Sequence, residues 1–342
     1  YNPFTFPVLS GDFKVNNFKL NNVLLGTLQL TNYSNLTSDS LYAIGGINHG
    51  DKEILSFTAQ YPLNGSKHIN ADLLFKNIPI KLLEPMINPV SNLQGFFKGN
   101  LNINGVINNY KVNGVADTDG FQFLVPYLNM AYTNDLKIKF REDSIIIDPV
   151  KLKDLKNDTE GLFSAKLKHN ALKNMEYRLS IESDSLYALN TSSVNNEDYY
   201  GKVFLDGNLL IEGDNQKTIL NINGTTKKGT HLMIPLSKSK EISENKFVRF
   251  NTKKNINQTI SNQLNVKPDF ILNFNLNINN DSKFQLIFDE QIGDIIKGTG
   301  NGILSLKINE SGEFTIFGDF EIEEGDYLFT LQDVITKSFS IE

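Results

Sequence analysis

The strictest constraint on the fold of this chain is an unbroken alternation of apolar and polar residues near its C-terminal end. In the run Leu272-Asn273-Phe274-Asn275-Leu276-Asn277-Ile278-Asn279 every second residue is apolar and the others are asparagine. Successive side chains of a β-strand point to opposite faces of its sheet, so this run predicts a strand with one dry face and one wet face.

Shorter runs repeat this alternation elsewhere in the chain. Together with the first run they define a predicted apolar face made of Leu101, Ile103, Val203, Leu205, Leu209, Ile211, Leu272, Phe274, Leu276, Ile278, Phe284, Leu286 and Phe288. Asn-Gly and Asp-Gly pairs stand around these runs and predict tight hairpins, because such turns need positive φ angles. The pairs are Asn64-Gly65, Asn104-Gly105, Asn113-Gly114, Asp119-Gly120, Asp206-Gly207, Asn223-Gly224 and Asn301-Gly302.

Helix candidates are few and short, at residues 79–88, 289–296 and 332–338, and none is long enough to cover a sheet. Residues 95–126 and 201–235 resemble each other, and residues 302–329 form a looser third copy. Each copy predicts a β-meander of about three strands, stacked in one direction on the next. With roughly 20 to 25 strands at about 4.8 Å each, such a sheet would extend on the order of 100 Å.

The apolar face of such a sheet must be covered by a second sheet, a helix layer or closure into a barrel. Alternation alone leaves a compact sandwich or barrel as plausible as an open trough. The repeats favour an all-β fold in which an elongated sheet, built from repeated β-meanders, curls around its apolar face. An acyl chain would fill such a trough, gaining about 0.8 kcal/mol per buried methylene.

Composition and spacing argue against other classes of function. The chain has 33 basic and 39 acidic residues, and the basic ones are scattered, which argues against nucleic acid as a partner. Cysteine is absent, which excludes disulfides, thiolate catalysis and cysteine zinc sites. No acid, base and nucleophile converge in a recognisable motif, so we expect no enzyme and no cofactor.

The possible ligand-binding motifs are weak. The four histidines, His49, His68, His169 and His231, are far apart, so we expect no metal site and no catalytic triad. Residues 117–120 (Asp-Thr-Asp-Gly) resemble the start of a calcium loop but lack its later ligands, and a turn is the preferred interpretation. Residues 298–302 (Gly-Thr-Gly-Asn-Gly) lack the lysine of a phosphate-binding loop and predict a hairpin or bulge.

Several runs in order carry a resemblance to a known family. They are residues 125–129 (VPYLN), 231–237 (HLMIPLS), 288–302 (FDEQIGDIIKGTGNG), 317–320 (FGDF) and 325–332 (GDYLFTLQ). These runs resemble the C-terminal region of the TamB family of translocation and assembly module proteins, in the AsmA-like superfamily, in a Bacteroidota-like form. The resemblance implies a TamB-like groove domain over residues 71–342, continuous with a more loosely matched β-repeat region over residues 1–70.

The resemblance also implies a function. Members of the family have a taco-like β-groove, span the periplasm of Gram-negative bacteria from an inner-membrane anchor, and contact an outer-membrane barrel of the Omp85 class. They move phospholipid between the membranes and assist outer-membrane protein assembly. By resemblance the groove residues would be those of the apolar face. A TamA-like or lipoprotein-type barrel partner would contact the C-terminal residues Tyr327, Phe329, Leu331, Phe339 and Ile341.

Two alternatives to lipid transfer stay open at this point. One is a protein-assembly factor that offers a sheet edge to a barrel protein by strand addition. The other is a β-solenoid or adhesin-like structural fragment with a dry core. The chain begins without methionine and stops inside the alternating run Ser338-Phe339-Ser340-Ile341, so we expect a fragment whose membrane anchor lies outside it.

Overall fold

The protein is all-β, as predicted. A computed structural model describes residues 10–35, 40–63, 65–87, 90–195, 199–235, 269–289, 293–308, 314–331 and 335–341. These ranges contain twenty strands, joined by hydrogen bonds into a large sheet, and one short 3₁₀ helix. The strands are β1 (Ser10–Leu20), β2 (Val23–Asn35), β3 (Ser40–His49), β4 (Lys52–Pro62), β5 (His68–Pro79), β6 (Ser91–Val106), β7 (Asn109–Val125), β8 (Met130–Thr133), β9 (Lys137–Arg141), β10 (Ser144–Asp154), β11 (Glu160–Asn170), β12 (Lys173–Thr191), β13 (Tyr200–Gly213), β14 (Lys217–Thr226), β15 (His231–Pro235), β16 (Asp269–Ile278), β17 (Lys283–Asp289), β18 (Asp294–Ile308), β19 (Phe314–Leu331) and β20 (Ile335–Ile341).

The chain divides into two compact units. Unit 1 comprises Tyr1–Leu124, Tyr132–Val150 and Ser164–Tyr177, and unit 2 comprises Val125–Ala131, Lys151–Phe163 and Arg178–Glu342. The boundary near residue 70 that the sequence suggests stays a prediction.

In unit 1 the strands from β1 to β7 form an antiparallel meander, in which each strand pairs with the next along the chain. The series continues with β9 against β7 and β10 against β9, again antiparallel. Short connections of this kind favour local pairing, because neighbouring strands close small loops. The predicted meander is therefore the organising unit of this part of the chain.

The helix expected near residues 79–88 is the 3₁₀ helix Ile80–Met86, which follows Pro79 and contains Pro85. Its Leu82 joins a buried cluster with Leu25, Ile47 and Ile54. The other two helix predictions are wrong where they can be compared: β18 begins at Asp294, and β20 spans Ile335–Ile341. Residues 290–292 and 332–334 lie outside the described ranges. Alternating apolar residues outweigh weak helix propensity in both segments.

In unit 2 two pairs of strands run in parallel. β14 pairs with β16 and β15 pairs with β17, both in parallel, while β13 and β18 flank them in antiparallel pairing. The chain breaks the strand pattern between the end of β14 at Thr226 and the start of β15 at His231, and again between the end of β16 at Ile278 and the start of β17 at Lys283. We call these two breaks the interruptions. They lie at matching positions of the two parallel ladders. β18, β19 and β20 complete the unit as an antiparallel series.

Most of the Asn-Gly and Asp-Gly pairs predicted as hairpin turns lie inside strands instead. The pairs starting at Asn104, Asn113, Asp119, Asp206, Asn223 and Asn301 belong to β6, β7, β7, β13, β14 and β18, which also places the Asp117–Gly120 segment in β7 rather than in a turn. Of the remaining pair, Gly65 lies in a bend and Asn64 is outside the described residues.

Close approach of neighbouring strands explains the glycines in these pairs. A Cβ atom on Gly207 would lie 2.2 Å from the carbonyl oxygen of Asn223 on the next strand, a distance that no side chain allows. Tight turns are made by other residues, such as Asn21-Asn22 and Ala171-Leu172, whose φ angles are all positive. The β18–β19 register shifts between Thr299 and Gly300 because Glu323 of β19 has no ladder partner, so the bulge lies on the strand opposite residues 298–302.

Candidate functional site

One face of unit 1 is apolar from strand to strand. Residues directly opposite each other in a ladder share a face, and the register places Phe57 between Gly45 and Leu73, and Leu101 between Leu73 and Gly114. We call this the dry face of unit 1. Its apolar residues include Phe13, Val15, Leu28, Leu30, Ala43, Leu55, Phe57, Ala59, Ala71, Leu73, Phe75, Leu101, Ile103, Val112, Ala116, Ile138, Phe140, Ile145 and Ile147.

The opposite face of unit 1, which we call its polar face, is built of hydrogen-bonding side chains. The amide of Asn102 donates 2.8 Å and 3.1 Å hydrogen bonds to the side-chain oxygens of Asp72 and Asn70 on the neighbouring strand. Lys139 and Asp148 form an ion pair across β9 and β10. Each of these contacts contributes little to stability because it is exposed. Together they make this face hydrophilic.

Among the described residues, the close backbone contacts of β1–β6 include their ladder neighbours and, from β6, the 3₁₀ helix at one end. Leu73 on the dry face is half-buried, whereas the adjacent Leu74 on the polar face is 45% exposed. At β5 the dry face is therefore the more crowded of the two faces, whereas at β1 its residues Phe13 and Val15 are exposed.

The predicted groove residues of unit 2 also share one face. Leu209 pairs with Ile222, which pairs with Phe274, and Ile211 is linked to Leu272 in the same way through Leu220. Gly201 pairs with Leu232, which pairs with Phe284, so Val203, Phe284 and Leu286 lie on the same side as the others. We call this the dry face of unit 2.

Part of the dry face of unit 2 is closed into a core. Val203, Leu276, Ile278 and Phe284 are buried in one cluster with Leu189, Leu232 and Ile234, and Leu276 has no exposed surface. Leu205, Phe274 and Leu286 border this cluster, while Leu209 and Ile211 are half-buried outside it. The cluster includes residues from both sides of an interruption, because Ile278 is the last residue of β16 and Phe284 lies near the start of β17.

Phe288 stands apart from the other predicted groove residues. Ile287 pairs with Ile295 and Asp289 pairs with Asp294, so Phe288 is the extra residue of a bulge and has no ladder partner. Its side chain is 37% exposed. The bulge removes it from the regular alternation that suggested it.

Four of the five predicted partner-contact residues, Tyr327, Phe329, Phe339 and Ile341, share one face of the β19–β20 hairpin. Tyr327 pairs with Phe339, with ring centroids 6.2 Å apart, and its ring also lies 6.0 Å from that of Phe329. Ile341 pairs with Gly325, and the backbone of Leu331 pairs with that of Ile335 in the same register. Burial raises the pKa of Tyr327, and the nearby Asp294 carboxylate raises it further. In the described part of the chain, β20 pairs with β19 alone, which leaves its other edge unpaired.

No group of three or more histidine, aspartate or glutamate side chains within the described ranges is arranged to hold a metal ion. The described residues contain no helix that is long and apolar enough to cross a bilayer.

Most dry-face residues of unit 1 escaped the sequence prediction. Glycine occupies dry-face positions such as Gly45, Gly99 and Gly114, and it interrupts the apolar alternation. Leu101 and Ile103 were found because their neighbours are asparagines. The alternation in residues 56–61 of β4 (Ser-Phe-Thr-Ala-Gln-Tyr) would have revealed the same face earlier.

Comparison with known proteins agrees with this architecture. A family model described as the TamB C-terminal domain matches residues 148–342, more than half of the chain. No curated protein and no solved structure matches the chain significantly. The family is a membrane-associated lipid and protein transport module of the envelope of Gram-negative bacteria. On the strength of this match and of the all-β sheet with its apolar face, the chain belongs to the TamB family.

Proposed function

We propose that this protein is a non-catalytic, periplasmic lipid-transfer protein whose dry face carries the acyl chains of phospholipid between the inner and outer membranes. The observation that carries the proposal is the dry face of unit 1, which is apolar across β1–β7, β9 and β10 and on which Phe13 and Val15 are exposed. Apolar surfaces of this extent are rarely left to water in soluble proteins and mark sites of binding.

The energetics of an acyl chain suit such a face. Each buried methylene contributes about 0.8 kcal/mol, so a chain of about 16 carbons gains on the order of 10 kcal/mol before the costs of ordering it. The contacts are non-directional, because the dry face offers side chains such as Leu73, Phe57 and Leu101 rather than hydrogen-bonding groups. A lipid held in this way can pass from one strand to the next without breaking any strong bond.

Some dry-face residues are buried in a cluster and others are half-buried, and this difference limits which of them can contact lipid. Leu276 and its buried neighbours contact protein, so they serve as core. The lipid path follows the half-buried residues, which include Leu101 and Ile103 in unit 1 and Leu209 and Ile211 in unit 2. The inner-membrane anchor outside this chain and the Omp85-class barrel at the outer membrane belong to the same proposal and rest on the family.

Two adjacent leucines provide a matched test. Leu73→Arg places a charge on the dry face, whereas Leu74→Arg places the same charge on the polar face of the same strand. Phospholipid extracted from each purified variant is quantified by mass spectrometry against the unchanged protein. We expect Leu73→Arg to lose most of the bound lipid, because a cation on an apolar surface repels acyl chains, and Leu74→Arg to retain it.

Circular dichroism and urea unfolding establish that both variants are folded before lipid is compared. A folded Leu73→Arg protein with undiminished lipid would refute the proposal. Absence of phospholipid from the unchanged protein, purified without stripping detergent, would refute it as well.

A second candidate function is assembly of outer-membrane proteins through a sheet edge. The unpaired edge of β20, flanked by the Tyr327–Phe339 aromatic contact, favours it among the described strands. Such an edge can add a strand from a partner, with backbone hydrogen bonds supplying affinity.

Since the chain contains no cysteine, a single cysteine at exposed Ser338 or Ser340 gives a specific crosslinking probe for this edge. We expect crosslinks from these positions to an Omp85-class barrel in cells. Exposed Ser10 in β1 serves as the control position. Equal crosslinking from Ser10, or none from β20, would count against an edge contact.

A further inference from the structure

Several lysines of unit 2 form ion pairs with carboxylates on a neighbouring strand. Lys227 lies 2.7 Å from Asp206, Lys297 lies 3.6 Å from Asp326, and Lys153 lies 3.2 Å from Glu160. Opposite charges across strands are mildly favourable, and like charges directly opposite each other are unfavourable. An unmatched group of like charges in the same unit therefore stands out.

Such a group is formed by Lys202 on β13, His231 on β15 and Lys283 on β17. Lys202 pairs directly with His231, and His231 pairs directly with Lys283. All three side chains are exposed. Their neighbours in the chain, Gly201, Leu232 and Phe284, belong to the dry face of unit 2. Because successive side chains of a strand point to opposite faces, the three basic residues lie on the face opposite the dry face. We call these three residues the basic row.

No carboxylate of the described residues compensates the basic row. Neither lysine has an ion pair within the described residues. Adjacent strands are about 4.8 Å apart, so the row brings three basic groups within about 10 Å of one another. Partial burial lowers the pKa of His231, and Lys283 and Lys202 lower it further, against a hydrogen bond that His231 donates to the Gln285 side chain and that raises the pKa. The arrangement is electrostatically unfavourable as it stands.

We propose that Lys202, His231 and Lys283 form a binding site for a phosphate group. Phosphate oxygens accept charge-assisted hydrogen bonds from ammonium and imidazole N–H donors, and the negative charge of the phosphate removes the repulsion within the row. The row lies in a chain of net charge −6, so it is a local feature and not part of a generally basic surface. Because it lies opposite the dry face, the site is separate from the proposed lipid path and does not rest on that function.

The phosphate can come from a soluble phosphate or from a lipid headgroup at a membrane surface. For the soluble source, inorganic phosphate is titrated at constant ionic strength into the full 342-residue chain. Binding is followed by the NMR signal of His231, identified by its loss in His231→Gln. We expect phosphate to raise the pKa of His231, because a bound anion stabilises the imidazolium.

Phosphate binding is compared between two double variants, each of which removes two lysine charges. Lys202→Gln with Lys283→Gln removes the flanking cations of the row, and we expect phosphate binding to weaken about tenfold or more. The control is Lys227→Gln with Lys297→Gln, whose lysines are already ion-paired. Without phosphate, the first pair raises the pKa of His231, a change that a purely structural effect would not produce.

For the membrane source, the same proteins are sedimented with vesicles of phosphatidylcholine alone or with a quarter phosphatidylglycerol. Saturable binding of inorganic phosphate that the row variant loses supports a site for soluble phosphate. Binding to anionic vesicles alone, again lost in the row variant, supports a headgroup site. Binding in neither assay overturns the proposal, and so does an equal loss in the control variant.

Discussion

The hydroxyl of Ser282 donates a 2.6 Å hydrogen bond to the hydroxyl of Thr226, and neither side chain has any exposed surface. The two residues lie where β14/β15 and β16/β17 are interrupted at matching positions. Asn279 completes the network, since its backbone N–H and its side-chain oxygen both contact the Thr226 hydroxyl at 3.3 Å. Buried polar groups that are paired in this way fix one register, because any slip would leave them without partners.

Replacing Thr226 with valine should therefore destabilise unit 2. Valine keeps the volume of threonine but removes the acceptor of the Ser282 hydroxyl and the Asn279 N–H. We expect a loss of about 1 to 3 kcal/mol in the free energy of unfolding, the usual cost of unsatisfied buried polar groups. Urea unfolding followed by tyrosine fluorescence measures it.

The neighbouring Thr225→Val is the matched control. Thr225 lies on the same strand but is half-buried, and a change within about 0.5 kcal/mol is expected there. Equal costs for the two variants would show that the Thr226 network does not hold the interruptions in place.

Leu276 and Leu209 separate the core of the dry face from its open part. Leu276→Ala empties space inside a closed cluster, and we expect it to cost about 3 to 5 kcal/mol. Leu209 is half-buried, so its replacement by alanine should cost about 1 to 2 kcal/mol. Unfolding in urea measures both changes.

The same two variants differ in their predicted lipid content. Phospholipid bound per protein should stay unchanged in Leu276→Ala and fall in Leu209→Ala, as quantified by mass spectrometry. The reverse order would place the lipid path through the cluster and contradict the division between core and groove.

Asp154 makes the stability of unit 2 dependent on pH at the acidic end. One of its oxygens accepts hydrogen bonds from the backbone N–H groups of Lys156 and Asn157, and the other accepts two from Thr159. Burial alone would raise its pKa, but these four bonds outweigh burial and lower the pKa.

A group whose pKa is lower in the folded state stabilises the fold above its unfolded pKa and loses that contribution as the pH falls through the folded value. Asp154→Asn should therefore destabilise the protein by about 1 to 3 kcal/mol near pH 7, because an amide N–H₂ would face two donors. The difference from the unchanged protein should shrink below about pH 4. Urea unfolding at a series of pH values measures it.

Asp214 is the matched control for Asp154. Its pKa is also lowered, by backbone hydrogen bonds from Gln216 and Lys217, but both bonds go to a single oxygen. Asparagine retains a neutral acceptor at that oxygen, so Asp214→Asn should cost less than Asp154→Asn near pH 7, and this smaller cost should also shrink at acidic pH. A pH-independent cost for Asp154→Asn would show that its charge plays no part.

The comparison of sequence and structure has a physical pattern. The Leu272–Ile278 alternation predicted the strand and its two faces, because asparagine and large apolar residues report orientation unambiguously. The dry-face positions of Gly45 and Gly114 carried no such signal, because glycine is neither apolar nor polar in its packing. Asn-Gly pairs were misread as turns because local sequence does not reveal that a neighbouring strand lies close by, as Asn223 does to Gly207.

Burial was also beyond the reach of the sequence. Phe274 and Leu276 have the same pattern around them, yet one borders the cluster and the other lies inside it. Their difference depends on Leu189 and Leu232, which are distant in the chain. The basic row was missed for the same reason, since Lys202, His231 and Lys283 become neighbours only through the pairing of three strands.

The bulge of β19 opposite Gly300 allows a last prediction, on the packing of β18 against β19. A Cβ atom at Gly300 would lie 1.9 Å from the carbonyl oxygen of Glu321, a contact with backbone that cannot move aside locally. Gly300→Ala should therefore push the strands apart at the bulge and cost about 2 kcal/mol or more.

In Gly11→Ala the new Cβ would meet only the side chains of Asn32, at 3.3 Å, and Phe13, at 3.8 Å. That variant should be neutral or gain up to about 1 kcal/mol, because alanine restricts the unfolded chain. Hydrogen exchange of β18 and β19 amides, with urea unfolding of both variants, measures the effects. Similar stability of the two variants would mean that β18 and β19 are not in the close contact that the glycine permits.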